Sequence, residues 1–517
     1  MLHVGVGLAI GLLTWLGLRR LVGAPLLGQP GRQRLAVLAL DGFAPLTGFV
    51  LFLLPTARPV MAGLGILSLG LGMGVADRVK RAVLDEPVVF ADRAELLEVV
   101  RHPRLYLAFV GVWRMALGTL ACVAVVAGLI RFEPPLWHMS LPGALALAGV
   151  AAVIGRALFV LPGLAGMLPV LARFYARLRP TRDPAADAAR FGLLATCIIQ
   201  ATLARTERDD RQRAAQARRW AALPADAGPI VIVQGESFVD ARRLHPELAG
   251  RLPNFARIQR EAALHGRLTV PCWGANTIRS ELAVLTGLGE DEVGLDRYNP
   301  YEHFARVPLP SLASTARAAG YRTICLHPYD AGFYYRDRVM PLLGFDRFVG
   351  IEGFADAPRD GPYVSDIAVA ERAAALIREH GPRLLLFLIT MENHGPWDAE
   401  HTAPPASSVP ESWRGLADGA AAGRWLRHLD STDAMIPILR DAIGAAGWLM
   451  FYGDHQPSLA GPFHAPGAPD RRTDYAIWQA GRSKGERRDL AAEDLSAALL
   501  GAMSSPPAGP IAMDRSS

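Results

Sequence analysis

From Met1 to about Phe174 the chain is dominated by Leu, Ala, Gly and Val, in apolar runs long enough to cross a hydrocarbon core of about 30 Å. The runs are Leu2 to Val22, Leu35 to Leu54, Val60 to Val75, Leu105 to Ile130, and Leu141 to Leu171, the last interrupted by Arg156 and Pro162. They predict an α-helical multi-span membrane domain of about five helices over residues 1–175. The first run is long and no small-residue cleavage site follows it, so it reads as a retained helix rather than a signal peptide.

The pattern changes at Tyr175. Residues 176–228 are rich in Arg, Asp and Ala, and the stretch from Phe191 to Arg219 is amphipathic, which predicts a linker helix near the bilayer surface. Over residues 229–482 short apolar runs alternate with helical patterns, the spacing of a parallel α/β sheet. Strands are expected at Ile230 to Val233, Thr323 to Leu326, Leu384 to Thr390, Trp448 to Tyr452 and Tyr475 to Gln479. Helices are expected at Asn254 to Leu264, Ser311 to Ala319, Asp366 to Glu379 and Asp433 to Ala445. Residues 483–517 read as a C-terminal tail, disordered from about Ser504 onward.

Composition adds limits. A chain of 517 residues suits about three domains. The net charge of +5 is spread over Arg-rich connectors rather than collected into one basic run, which gives little support to nucleic-acid binding. Arg19, Arg20, Arg32 and Arg34 fill the first loop, and Arg78, Lys80, Arg81, Arg93, Arg101 and Arg104 the third. The positive-inside bias places both in the cytoplasm, and with five spans the C-terminal domain too. The four cysteines, Cys122, Cys197, Cys272 and Cys325, have no CxxC spacing and form no zinc motif.

Chemistry gathers at strand ends. Glu236 follows the first predicted strand, His327 the second, Glu392, Asn393 and His394 the third, and Asp454 with His455 the fourth. Ligands of open α/β sheets sit at the carboxyl ends of strands, so these residues point at one place. Glu, Asp and imidazole together suit a hard or borderline divalent cation, manganese, magnesium or zinc, rather than a thiolate metal. A nucleophile is offered by PCWGANTIRSELAVLTG, where Thr277 opens an amphipathic helix whose Ile278, Leu282 and Leu285 face inward. A helix N-terminus seats a phosphate. Taken singly, Thr277 reads as an N-cap, Glu236 as a turn cap, Arg336 as a surface partner of Asp337 or Asp330, and His327 and His394 as buried structural histidines.

The ordered motifs QGESF, GANTIRSE, LHPYDAGFYYRDRVMPLLGFDRF, ENHGPW and FYGDHQP resemble the lipoteichoic acid synthase-like phosphoglycerol transferases of the alkaline phosphatase and sulfatase superfamily, over almost the whole chain. The resemblance implies an α/β sulfatase/alkaline-phosphatase-like catalytic domain after the membrane helices. It implies Thr277 as nucleophile and metal ligand, with Glu236, Asp454 and His455 completing one site for a divalent cation, manganese first. His327, Arg336 and His394 would hold the phosphoglycerol group, and Tyr334 would pack near the glycerol where the family commonly has Trp. Phosphatidylglycerol would be the donor and an envelope glycan or polyglycerolphosphate the acceptor, with diacylglycerol released after a phosphoglycerol-threonine intermediate. The family's catalytic domain lies outside the cytoplasm, in a cell (inner) membrane protein, against the charge bias above; the KRAVLDEPVVFAD loop resembles an extracytoplasmic loop of the family.

Rival readings are fewer. A phosphoethanolamine transferase would favour a carboxylate near its cationic headgroup, where this chain has His327, Tyr334 and Arg336. A sulfatase nucleophile needs a C/S-x-P-x-R context, whereas Cys272 is followed by Trp273 and Gly274. A non-catalytic protein binding an envelope polymer would not need Thr277, Glu236, Asp454 and His455 all intact.

Overall fold

The computed structural model describes residues 1–26, 31–103, 112–138, 140–160, 168–224, 227–395, 397, 409–464, 470–482 and 485–505. The chain forms two compact units, Met1–Asp209 and Asp210–Ser517. The boundary falls inside the helix Leu193–Gln216, so the linker helix is shared between them.

The first unit is helical. Leu2–Leu21, Gln33–Thr56 and Pro59–Leu84 are long and apolar enough to cross a membrane. Helices Val112–Phe132 and Leu141–Val160 occupy the other two predicted spans, whose segments 104–111 and 161–167 lie outside the described residues. Leucines and valines such as Leu13, Leu69, Leu71 and Val75 are exposed on these helices, as lipid-facing side chains are. The ends carry the charge: Lys80 bonds Asp92 at 2.8 Å, and Asp77 takes Arg81 Nε at 2.7 Å and the amide of Val88 at 2.9 Å. The stretch predicted as a linker helix from Phe191 to Arg219 is the helix Leu193–Gln216, and a short helix Pro184–Phe191 precedes it, parted from it at Gly192 with φ +99°.

The second unit is an α/β domain. Its strands are β1 (Ile230–Gly235), β2 (Leu264–Thr269), β3 (Arg322–Leu326), β4 (Arg347–Val349), β5 (Arg359–Asp360), β6 (Tyr363–Val364), β7 (Leu384–Ile389), β8 (Trp448–Gly453), β9 (Thr473–Trp478), β10 (Glu486–Arg487) and β11 (Leu490–Ala491). The main sheet runs β10-β2-β9-β8-β1-β7-β3-β4, with β11 also on β2; β5 and β6 form a separate hairpin.

The sheet is mixed rather than parallel throughout. Strands β8, β1, β7, β3 and β4 are parallel, but β9 runs antiparallel to β8 and β2. The central strands are uniformly apolar because both faces are covered. Val231, Val233, Leu386 and Leu388 pack on one side, Ile230, Ile232, Leu385 and Phe387 on the other. The first core takes helices Asp366–His380 and Gly419–Ile443, the second Ile278–Thr286 and Leu312–Ala318.

Three expectations are corrected. Leu264 begins β2, since the helix before it ends at Glu261 and Leu264, Gly266 and Leu268 alternate inward as a strand with one buried face requires. The helix expected from Asp433 begins at Gly419 instead. The segment from 483 is no simple tail: β10, β11 and helix Leu495–Ser504 belong to the domain, with Leu495, Leu499 and Leu500 buried in its core. Residues 506–517, where disorder was expected, lie outside the described residues.

Candidate active site

Strands β8, β1, β7 and β3 are adjacent and parallel, so their carboxyl ends share one edge of the sheet. The loops there are cross-tied. The amide of Glu236 donates to Thr390 Oγ1 at 2.9 Å, joining the ends of β1 and β7. The amides of Ser237 and His455 both donate to Asp454 Oδ1, at 2.9 and 2.8 Å, joining β1 to β8.

These ties bring Glu236, Asp454 and His455 together, all buried, with one donor atom from each within 4.8 Å of the others. His455 Nε2 lies 3.6 Å from Glu236 Oε1 and 3.4 Å from Asp454 Oδ2. His455 Nδ1 meets the carbonyl of Gln456 at 3.0 Å, which orients the ring and leaves Nε2 as a ligand atom, the usual outer support of a metal-binding imidazole. Asp454 Oδ2 is buried without a hydrogen-bond partner among the described residues. Burial, then the Asp454 carboxylate, push the Glu236 carboxyl up to about 8. Two buried carboxylates, an unpartnered oxygen and an oriented imidazole fit one divalent cation, which would offset both causes of that shift.

Thr277 stands at the N-terminus of helix Ile278–Thr286, 7% exposed, and its hydroxyl caps no amide of that helix. The bland N-cap reading therefore fails on geometry. The preceding loop is fastened to the β8 loop by the Gly274 amide on the Gln456 carbonyl at 3.0 Å. One turn further on, Ser280 Oγ donates to the Asp454 carbonyl at 2.6 Å.

On the other flank Arg336 is buried and meets Glu281 rather than the Asp337 or Asp330 weighed from the sequence. Its Nη1 lies 3.4 Å from His327 Nε2. His327 Nδ1 faces the Ile389 carbonyl at 3.3 Å and His394 Nδ1 the Gly395 carbonyl at 2.6 Å, so both rings have the backbone bond of a structural histidine. Burial pushes both imidazoles below their ordinary value, His327 strongly. Tyr334 packs against Phe333 and lies under the Arg336 guanidinium, 5.6 Å from its ring centre.

The backbone is strained beside these groups. Ser237, Asn276, Tyr334 and Tyr335 have φ of +50°, +74°, +53° and +59°, the first next to Glu236, the second next to Thr277 and the last two leading into Arg336. Left-handed conformations at residues other than glycine persist where surrounding structure imposes them, typically at functional sites.

Not every strand-end residue arrives. Glu392 turns away, accepting from the Asp366 amide at 2.6 Å and Ser431 Oγ at 2.8 Å, in a second group with Asp360 and His428. That group already holds a cation, because Arg427 donates to both Asp360 oxygens and its Nη2 lies 3.1 Å from His428 Nε2. Sequence reasoning passed over Ser280, Glu281 and Tyr363. The first two sit three and four positions after Thr277, one turn along the same helix, a spacing that signals a shared face. Tyr363 had no such signal. It reaches the site from the β5–β6 hairpin, its hydroxyl 3.4 Å from His394 Nδ1.

A mixed sheet with a cation-fitting group at its parallel strand ends, behind a helical membrane region, defines the class, and the sulfatase family model matches residues 229–505. The chain belongs to the sulfatase family. Over 446 residues, 81% of this chain and 77% of the relative, it is 31% identical to the capsular polysaccharide biosynthesis protein RkpI of Rhizobium meliloti strain 1021. It is 26% identical over 237 residues, 44% of this chain and 36% of the other, to a putative cyclic beta-1,2-glucan modification protein of the same organism. Among solved structures it is similar to the Streptococcus pyogenes phosphoglycerol transferase GacH in complex with sn-glycerol-1-phosphate. That match has 21% identity, covers 58% of this chain and 80% of the other, and has a TM-score of 0.43.

Proposed function

We propose that the protein is a membrane-bound, metal-dependent phosphoglycerol transferase that moves phosphoglycerol from phosphatidylglycerol to an envelope glycan or glycerol-phosphate acceptor. The observation that carries this reading is the convergence of Glu236, Asp454 and His455 beside a helix N-terminus whose threonine hydroxyl is not spent on capping. The ordered motifs of the phosphoglycerol transferases fall on these same residues. The likeness to a capsular polysaccharide biosynthesis protein over most of both chains supports a polysaccharide acceptor.

In this mechanism Glu236, Asp454, His455 and Thr277 would hold one divalent cation, manganese first. The cation when bound lowers the pKa of a hydroxyl and neutralises phosphate charge. Thr277 attacks phosphorus; its O–P bond forms as the bond to the diacylglycerol oxygen breaks, and the proton lost from the Thr277 hydroxyl passes to the departing diacylglycerol. His394, whose Nδ1 is held by Gly395, offers Nε2 to move that proton. In the second half an acceptor hydroxyl forms the new O–P bond, the threonine O–P bond breaks, and the acceptor proton passes to the departing Thr277 oxygen. Arg336 orients the phosphoryl oxygens, His327 supports it by accepting from Nη1, and Tyr334 forms an aromatic wall for the glycerol. The membrane helices bring the site to a lipid donor, with the catalytic domain on the extracytoplasmic face of the inner membrane.

The test is release of diacylglycerol from labelled phosphatidylglycerol by purified full-length protein in detergent, with and without manganese. Metal-dependent release that disappears in Thr277→Ala is the expected result. Release from phosphatidylethanolamine and none from phosphatidylglycerol would replace this reading with phosphoethanolamine transfer.

A further inference from the structure

Glu281 lies one helical turn after Thr277 and is fully buried against Arg336. Arg336 Nη2 donates to Glu281 Oε2 at 2.9 Å and Nε to Oε1 at 3.2 Å. The Tyr301 hydroxyl donates to Oε1 at 2.9 Å, and Gln234 Nε2 to Oε2 at 3.4 Å. Gln234 is in turn held by the hydroxyl of Tyr452. Every one of these partners lies outside the helix that carries Glu281, so strands β1 and β8 and the Tyr301 segment set its position.

Two of the three guanidinium nitrogens are committed to Glu281, and Nη1 reaches His327 Nε2 at 3.4 Å. A guanidinium only donates, so that imidazole nitrogen accepts; Nδ1, facing the Ile389 carbonyl, carries the proton and the ring is neutral. Arg336 therefore offers direction through Nη1, while its charge is already matched one to one by a carboxylate. In a buried site the charge balance decides which anion is held, because buried charges are screened little by solvent and salt. A phosphodiester carries one negative charge and a phosphomonoester two.

We propose that Glu281 is a positioning and selectivity residue: it aims Arg336 Nη1 at the anion side of the site and cancels the guanidinium charge, so that the site favours a singly charged phosphodiester over a doubly charged phosphomonoester. This deepens the function proposed above, since it rests on Arg336 facing the phosphate. An arginine left unpaired would hold inorganic phosphate and other dianions tightly, whereas the paired one discriminates by charge.

The experiment titrates manganese-loaded full-length protein in detergent with inorganic phosphate and with dimethyl phosphate, by calorimetry at mildly alkaline pH where inorganic phosphate is a dianion. Glu281→Gln is expected to tighten inorganic phosphate about tenfold and to change dimethyl phosphate by less than about threefold. Arg336→Gln is expected to remove that gain when added to Glu281→Gln. An equal change for both anions, or binding of neither anion to either protein, overturns the proposal. Should Glu281→Gln fail to fold, Glu281→Asp draws the charge back by one methylene and is expected to shift the ratio the same way by less; a folded Asp variant with the wild-type ratio also overturns it. The readout uses no lipid, so a failure of phosphatidylglycerol cleavage leaves it standing, and its own failure leaves the transfer reaction open.

Discussion

Ser280 Oγ donates to the main-chain carbonyl of Asp454 at 2.6 Å, fastening the helix that begins at Thr277 to the loop that carries two of the three candidate cation ligands. Both partners are buried, so removing the hydroxyl leaves the carbonyl with the weak Cys272 thiol contact at 3.8 Å in place of a strong donor, at a cost of about 1 kcal/mol or more. Ser280→Ala is expected to lower the unfolding midpoint and to reduce kcat for diacylglycerol release more than KM, with manganese affinity retained. Thermal unfolding, steady-state kinetics and metal titration read the three quantities.

Cation binding should stabilise the second unit. Among the described residues Asp454 Oδ2 has no hydrogen-bond partner, and it faces His455 Nε2 at 3.4 Å. Manganese at a hundredfold over its Kd is expected to add about 2.7 kcal/mol of stability. Asp454→Asn should lose most of that gain, seen as a Tm that no longer responds to manganese.

The second buried group predicts a pH effect. Burial lowers the His428 pKa from an ordinary 6.5 to about 4, with Asp360 opposing the shift and Arg427 adding to it. The unfolded chain thus takes up a proton near pH 6.5 that the folded chain refuses until about 4, so stability from this residue is present above the first value and lost as pH falls toward the second. Asp366 and Glu392, whose carboxyls are raised chiefly by burial, act in the opposite direction. The histidine effect is therefore read as a difference: His428→Gln should flatten the acid decline of Tm relative to wild type.

Tyr363 comes to the site on a hairpin held from behind, since Asp360 in the same hairpin is clamped by Arg427. Its hydroxyl makes a long 3.4 Å contact with His394 Nδ1, so a modest effect is expected. Tyr363→Phe should lower kcat about threefold, in line with a net hydrogen bond of about 0.5–1.5 kcal/mol, without altering manganese affinity.

In the membrane unit Gly192 is closely confined. Its φ is +99°, and a Cβ there would lie 2.4 Å from the carboxylate oxygens of Asp41. Asp41 is the hub of that region, accepting from Arg19 Nη1 and Trp15 Nε1 at 2.7 Å and from the Ala195 amide at 3.0 Å. Gly192→Ala should therefore destabilise the first unit by about 1–3 kcal/mol or more, read as loss of folded protein in a detergent thermostability assay.

The sequence by itself marked the membrane-length helices and the central parallel strands, and offered the residues that gather at their ends. Apolar runs of membrane length and apolar runs of strand length announce their own surroundings, because each reports which faces must leave water. Glu236, Asp454 and His455 were legible because they follow strands that lie parallel, and parallel strands place their ends on one edge. Only the tertiary structure decided the partners. The antiparallel β9 reads like any buried strand, since direction is set by its neighbours and leaves no trace in its own alternation. Likewise Arg336 has two acidic residues near it in sequence, yet pairs with Glu281, 55 positions away. Glu392 follows β7 as Glu236 follows β1, but the Asp366 amide and Ser431 hydroxyl draw it to another group. A buried charge goes to whichever partners the packing of distant helices puts within hydrogen-bond reach, and that choice is written in the fold rather than in local order.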